Sequence, residues 1–91
     1  MKISDKIVVV VPTYNEAESL PRLAEELFNL NVSNLTVIVV DDNSPDGTAV
    51  IAKRIGDSNG GSIRVIDRPR KLGLGTAYKE GFERALKENP R

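Results

Sequence analysis

The segment Leu35-Thr36-Val37-Ile38-Val39-Val40, which runs directly into Asp41-Asp42-Asn43-Ser44-Pro45-Asp46-Gly47-Thr48, decides the fold. An aliphatic, largely β-branched run without polar alternation is the signature of a strand buried on both faces of a parallel sheet. Lys6 to Val11 (KIVVVV) reads the same way, and Ile63 to Ile66 (IRVI), shorter and alternating, belongs nearer an edge. Each run is followed by a polar turn and then by an amphipathic stretch. The chain therefore reads β-α-β-α-β-α.

The intervening stretches carry helical periodicity. Leu20, Leu23, Ala24, Leu27 and Phe28 recur at three- and four-residue spacing, with Ser19 placed to cap and Pro21 tolerated in the first turn. Thr48, Ile51, Ala52 and Ile55 repeat the spacing until Gly56, and the turn-rich loop 57–62 follows. Leu74, Ala77, Tyr78, Gly81, Phe82, Ala85 and Leu86 form the cleanest stripe, running to a stop at Asn89-Pro90. Gly81 inside that helix costs roughly 1 kcal/mol relative to alanine, which points to close packing against a strand.

Right-handed crossovers set three parallel strands side by side in the order 3-2-1, with helices on the faces. This is half of a doubly wound α/β sheet, whose ligands bind at the carboxyl ends of the strands. In that order Lys6 to Val11 is an unpaired edge, although it reads as a central strand. The expectation is that residues 1–91 are one part of a larger domain.

The 91 residues carry 13 Lys+Arg, 13 Asp+Glu and no His or Cys. Disulfides, thiol nucleophiles and imidazole acid–base chemistry are excluded, and no overall basic field exists to hold nucleic acid. The zero net charge hides a polarity: residues 1–63 carry 5 basic and 9 acidic side chains, residues 64–91 carry 8 and 4. No apolar run approaches the roughly 20 residues of a spanning helix, and no signal-peptide pattern opens the chain. A cytoplasmic protein is expected.

Three turns hold the residues that could carry chemistry. Pro12-Thr13-Tyr14-Asn15-Glu16 lacks the glycines that bring a dinucleotide's pyrophosphate onto a helix start, which disfavours a dinucleotide-binding fold. It offers an aromatic ring with a hydroxyl and a carboxylate. In the second turn three carboxylates within six residues suit a cation or sugar hydroxyls. Part of that cluster has ordinary duties, with Asp42 or Ser44 bonding the turn and Asp46 capping the next helix. Asp41 is left to explain. The third turn, Asp67-Arg68-Pro69-Arg70-Lys71-Leu72-Gly73-Leu74-Gly75-Thr76, gathers Arg68, Arg70 and Lys71 beside two glycines and a helix start, a candidate phosphate grip that matches neither G-x-G-x-x-G nor a P-loop.

Together VVVPTYNEAESLPRL, VIVVDDNSPDGT and RPRKLGLGTAYKEGF resemble the amino-terminal part of glycosyltransferase family 2, nearest its dolichyl-phosphate (polyprenyl-phosphate) mannose synthase branch. The resemblance covers residues 6 to 86, and the third motif narrows it to that branch. It implies the Rossmann-like half of a GT-A nucleotide-diphospho-sugar fold. It further implies GDP-mannose as donor, a polyprenyl or dolichyl phosphate as acceptor, inversion at the transferred sugar, and work at the cytosolic face of a membrane.

Carried over position by position, the resemblance implies that Pro12, Tyr14, Glu16, Val39 and Asp41 contact the donor nucleotide, with Asp42, Lys71 and Gly73 as weaker assignments. It implies Mg or Mn bound at a D-x-D motif after a fourth strand. No D-x-D occurs in residues 1–91. The expectation is therefore no catalytic or metal-binding residue in this segment and no transfer by the 91 residues alone. Two rival readings are a receiver-like domain, whose acidic pair should follow the first strand rather than the second, and a non-catalytic nucleotide-binding or interaction module of the same half-fold.

Overall fold

The computed structural model of the chain describes residues 3–30 and 32–88. Strands β1 (Ile3–Thr13), β2 (Val32–Asp41) and β3 (Ile63–Asp67) alternate with helices α1 (Leu20–Phe28), α2 (Thr48–Ser58) and α3 (Leu74–Glu88). The strands form one parallel sheet in the order β1-β2-β3, the expected 3-2-1 arrangement. The expected stop at Asn89-Pro90 lies outside the described residues.

Both long strands exceed the aliphatic runs that revealed them. Pairing continues through Pro12↔Val40 and Thr13↔Asp41, because the edge position of β1 tolerates a residue without an N–H. The central strand is the dry one: Val37, Ile38, Val39 and Val40 are at most 3% exposed, whereas Val8 to Val11 on β1 are half-buried.

Alternation along β2 sorts the core into two layers. Val37 and Val39 meet Leu20, Ala52 and Ile63 under α1 and α2, while Ile38 and Val40 meet Ala77 under α3. The same parity continues past the end of the strand, so Asp41 belongs to the α1/α2 side and Asp42 to the α3 side. That divergence builds the site.

Two sequence expectations are corrected, the Ser19 cap and the uniform α3 stripe, while Asp46 serves the start of α2 from outside the N-cap position. Ser19 occupies the N-cap of α1 in a helical conformation and makes no side-chain cap; its hydroxyl donates to Glu16 Oε2 at 2.9 Å. The Leu20 N–H is met instead by the Glu16 carbonyl at 2.8 Å. At α2 the N-cap is Gly47, and Asp46 one position earlier accepts the Thr48 N–H at 3.0 Å.

The α3 stripe also divides. Ala77 and Gly81 are buried and Ala85 packs against the core, whereas Leu74, Tyr78, Phe82 and Leu86 are exposed, Phe82 at 57% and Leu86 at 73%. Small residues let α3 lie close on the sheet: a Cβ at Gly81 would stand 2.3 Å from Val10 Cγ1. Close packing explains this glycine, as its sequence position suggested.

Candidate functional site

Three loops meet at the carboxyl ends of the strands. The first two are stitched by backbone donors of one and side chains of the other. The consecutive N–H groups of Asn15, Glu16 and Ala17 donate to Ser44 Oγ at 2.9 Å, Thr48 Oγ1 at 3.0 Å and Asp46 Oδ2 at 3.0 Å. Presenting three successive donors requires the chain to turn sharply, and Asn15 adopts a left-handed φ of 56° to do so. Asn43 takes the same conformation in the second loop, with φ 55°.

Asp41 anchors this seam from below. Its Oδ1 accepts from Thr13 Oγ1 at 2.6 Å and Ser44 Oγ at 2.7 Å, and its Oδ2 from the Ser44 N–H at 3.0 Å. The carboxylate is 1% exposed and keeps one acceptor position free of protein donors. Thr13 was missed by sequence reasoning, yet strand parity could have found it, since it faces Asp41 across the β1–β2 register.

The seam between the second and third loops rests on Arg68. Its side chain is 2% exposed, and Asp42 opposite it is 8% exposed. Arg68 Nε and Nη2 donate to the two Asp42 oxygens at 2.5 and 3.0 Å, a bidentate fork. The remaining donors go to Gly73 O and Thr76 Oγ1, both at 3.0 Å, and Glu80 Oε1 at 3.3 Å. All five guanidinium N–H groups are thereby used. Asp42 Oδ2 also accepts the Leu72 N–H at 3.2 Å.

The Arg68 hydrogen bonds, before any other influence, hold the Asp42 carboxyl below the usual carboxylate range, and Asp42 raises Arg68 in return. The candidate phosphate grip is corrected here. Arg68 is an internal strut with no donor to spare, while Arg70 and Lys71 are exposed.

Above the second seam lies a cleft of about 190 Å³ lined by Pro12, Thr13, Tyr14, Glu16, Asp42, Lys71, Gly73, Leu74 and Ala77. Sites for drug-sized ligands run to roughly 300–1,000 Å³, so this cleft takes part of a ligand. Lys71 Nζ stands 4.6 Å above the Tyr14 ring centroid, closing the cleft from the third loop to the first by a cation–π contact. Gly73 turns the chain into α3 with φ 99°, a conformation that a side chain would strain. Leu74 and Ala77 complete the α3 wall.

Six of the eight residues singled out in the sequence therefore share one cleft: Pro12, Tyr14, Glu16, Asp42, Lys71 and Gly73. Val39 and Asp41 do not line it. Val39 is fully buried in the layer beneath α1 and α2, and Asp41 sits behind Thr13 and Ser44. A larger hollow of about 300 Å³ between α1 and α2, lined by Pro21, Glu25, Phe28, Asn29, Ile55 and Asn59, lies away from these loops and brings together a single charged group.

Among the described residues no group of three or more His, Cys, Asp or Glu could hold a metal ion. Asp42 is engaged with Arg68 and Asp46 with Thr48 and Ala17, so the acidic second turn does not fit a metal centre. No helix among the described residues is long and apolar enough to cross a membrane.

The chain is similar to known proteins over most of its length. The chain is 36% identical over 84 residues to a polyprenol monophosphomannose synthase of Mycolicibacterium smegmatis, covering 92% of this chain and 31% of the relative. It is 40% identical over 81 residues to a dolichol-phosphate mannosyltransferase of Pyrococcus furiosus, covering 88% of this chain and 22% of the relative. The chain thus spans less than a third of each curated relative.

Among solved structures, a mannosyltransferase from Pyrobaculum calidifontis in complex with GDP-Man and Mn2+ superimposes with a TM-score of 0.81. That match is 24% identical and covers 87% of this chain and 24% of the other, and it establishes the fold. Residues 8–88 match the family described as Glycosyl transferase family 2, and the chain belongs to that family.

Proposed function

We propose that residues 1–91 form the nucleotide-gripping part of a mannosyltransferase that takes GDP-mannose as donor and a polyprenyl or dolichyl phosphate as acceptor. The observation that carries this reading is the convergence of Tyr14, Glu16 and Lys71 on one cleft at the carboxyl ends of parallel strands. The names of the two curated relatives support the sugar and the lipid acceptor.

The roles follow from chemistry. The Tyr14 ring offers a face for the base, with Pro12 beside it in the wall of the cleft. Glu16 is an exposed carboxylate with one oxygen engaged by Ser19, and its other oxygen accepts from a guanine N–H or a ribose hydroxyl. Asp41 and Val39, both buried behind the cleft, act on the nucleotide only indirectly, Asp41 by bracing Thr13 and Ser44 and Val39 by packing beneath the loops. Lys71 places a positive charge against the diphosphate, and Gly73 leaves the loop backbone bare for close approach. Asp42 acts through Arg68.

In the transfer, an oxygen of the acceptor phosphate attacks the anomeric carbon from the face opposite the leaving diphosphate. The bond from that carbon to the diphosphate oxygen breaks, GDP departs with the electron pair, and the sugar is inverted. The acceptor is already anionic, so no general base has to remove a proton, which suits a chain without histidine. Work at the cytosolic face of a membrane follows from a lipid acceptor and a nucleotide-sugar donor. The 91 residues by themselves catalyse no transfer.

The test is a titration of the isotope-labelled chain with GDP, GDP-mannose and UDP-glucose at millimolar concentrations. Amide shifts should move at Tyr14, Glu16, Asp41 and residues 71–73, more for the guanine ligands, and Glu16→Gln should weaken the response. Absence of any response, or one confined to the hollow between α1 and α2, rejects the reading. Mannosyl transfer by the 91 residues would reject the claim that they are inactive alone.

A further inference from the structure

We infer that Arg68 is a positioning residue for the cleft: through Asp42 and Gly73 it sets the place of Lys71 and Gly73, and so decides whether the third loop can meet a nucleoside diphosphate. The part of this that concerns a ligand rests on the function proposed above; the part that concerns the loop does not.

The loop between β3 and α3 has few supports of its own. Residues 69–76 are exposed, and Pro69, Arg70 and Lys71 contribute no hydrogen bond to the core among the bonds described. What fixes the segment is its two ends. Arg68 enters it from a buried position and reaches forward to the Gly73 carbonyl, and Asp42 takes the Leu72 N–H. Thr76 completes the fold-back by accepting from Arg68 while its hydroxyl faces the Leu72 and Gly73 carbonyls at 2.8 and 3.0 Å. One guanidinium thus holds the carbonyl of the left-handed Gly73, and one carboxylate holds both that guanidinium and the amide before it.

Lys71 lies between Arg68 and the Leu72 and Gly73 anchors, and its ammonium is brought over Tyr14 only if that span is folded back. Lysine at position 68 cannot substitute. An ammonium carries three donors from one point, whereas this site uses five from a planar fork aimed at four residues.

Positioning is separable from simple stabilisation, because a buried ion pair replaced on both sides by apolar groups of similar size often keeps or gains stability. The experiment compares the wild-type chain with Arg68→Lys and with the double variant Asp42→Leu/Arg68→Met. Three properties are read: the urea midpoint, the upfield displacement of the Lys71 Hε protons by the Tyr14 ring, and the GDP dissociation constant from amide shifts.

Arg68→Lys is expected to lose the Lys71 displacement while the amides of β1, α1 and α2 stay in place. Its GDP binding should weaken about tenfold, the effect of losing one charge-assisted contact. The double variant is expected to recover the urea midpoint without recovering the Lys71 displacement. Retention of that displacement in Arg68→Lys, or its return together with stability in the double variant, overturns the proposal. If the wild-type chain gives no GDP response the nucleotide reading fails, and the ring-shift comparison still decides the positioning role.

Discussion

The two seams between the loops do the same job by opposite means. Between the first and second loops the work is divided: three backbone N–H groups each find a different side-chain oxygen on Ser44, Thr48 and Asp46, and Asp41 braces the arrangement from below. Between the second and third loops it is concentrated in one guanidinium and one carboxylate, both nearly out of water. A divided seam loses one bond when one residue is lost. A concentrated seam loses everything at once and leaves a charge stranded in the interior.

Asp42→Ala is therefore the harshest test. It strands Arg68, and breaking a buried pair from one side costs about 3–5 kcal/mol, a large fraction of what a domain of this size has to lose. Urea unfolding followed by far-UV circular dichroism measures it. A loss below about 1 kcal/mol would mean that Glu80 and solvent replace Asp42, and the contrast between the seams would collapse.

The same pair gives the second seam an acid response. Asp42 has its folded-state value lowered from the ordinary 3.8, so its stabilisation is complete above that pH and is lost as the pH falls below it through the folded-state value. The unfolded chain binds the proton first. Asp42→Asn removes this titration, so its urea midpoint should fall less steeply than that of the wild type on acidification below pH ~4. Parallel slopes in the two proteins would show that other carboxylates govern the acid limb.

The seat of α3 supports the concentrated seam, because Thr76 and Glu80 ride on that helix. Gly81→Ala gains roughly 1 kcal/mol of helix propensity but drives a methyl against the stiff, β-branched Val10, and overpacking of that kind costs about 1–3 kcal/mol. The net effect expected is destabilisation, read from the urea midpoint; a more stable variant would show that α3 slides without strain.

In the divided seam, Ser44→Ala leaves the Asn15 N–H to solvent and takes a hydroxyl donor from Asp41, for a loss of about 1–2 kcal/mol. A loss approaching that of Asp42→Ala would show that the two seams do not differ in kind.

These seams also mark how far the sequence could be read. The strand runs, their order and the helix stripes were legible because burial on both faces of β2 demands unbroken aliphatics and helices demand a period. The cleft residues were legible as positions after strands. What could not be read was which polar side chain served the fold and which faced a ligand. Arg68 and Lys71 look alike in a basic turn, and only strand parity, carried one residue past β3, turns the first inward toward Asp42. The α3 stripe misled for a related reason: Ala77 and Gly81 share a broad arc with Tyr78 and Phe82, and periodicity does not say that the smaller residues face the sheet.

The mildest test joins the outer two loops directly. Lys71→Met keeps the length of the side chain and removes the charge above Tyr14, and an exposed cation–π contact contributes about 0.5–1 kcal/mol. Stability should therefore barely change, because the third loop is held at Leu72 and Gly73 rather than at Lys71. GDP binding should still weaken, since the diphosphate loses its cation, while the Tyr14 amide continues to respond to the base. This pattern is the reverse of the double variant at 42 and 68 only in mechanism: there the ammonium is present and misplaced, here the loop is in place and the ammonium absent. If Lys71→Met unfolded as readily as Asp42→Ala, the cation–π contact would be a support of the third loop, and the hold on that loop would be divided after all.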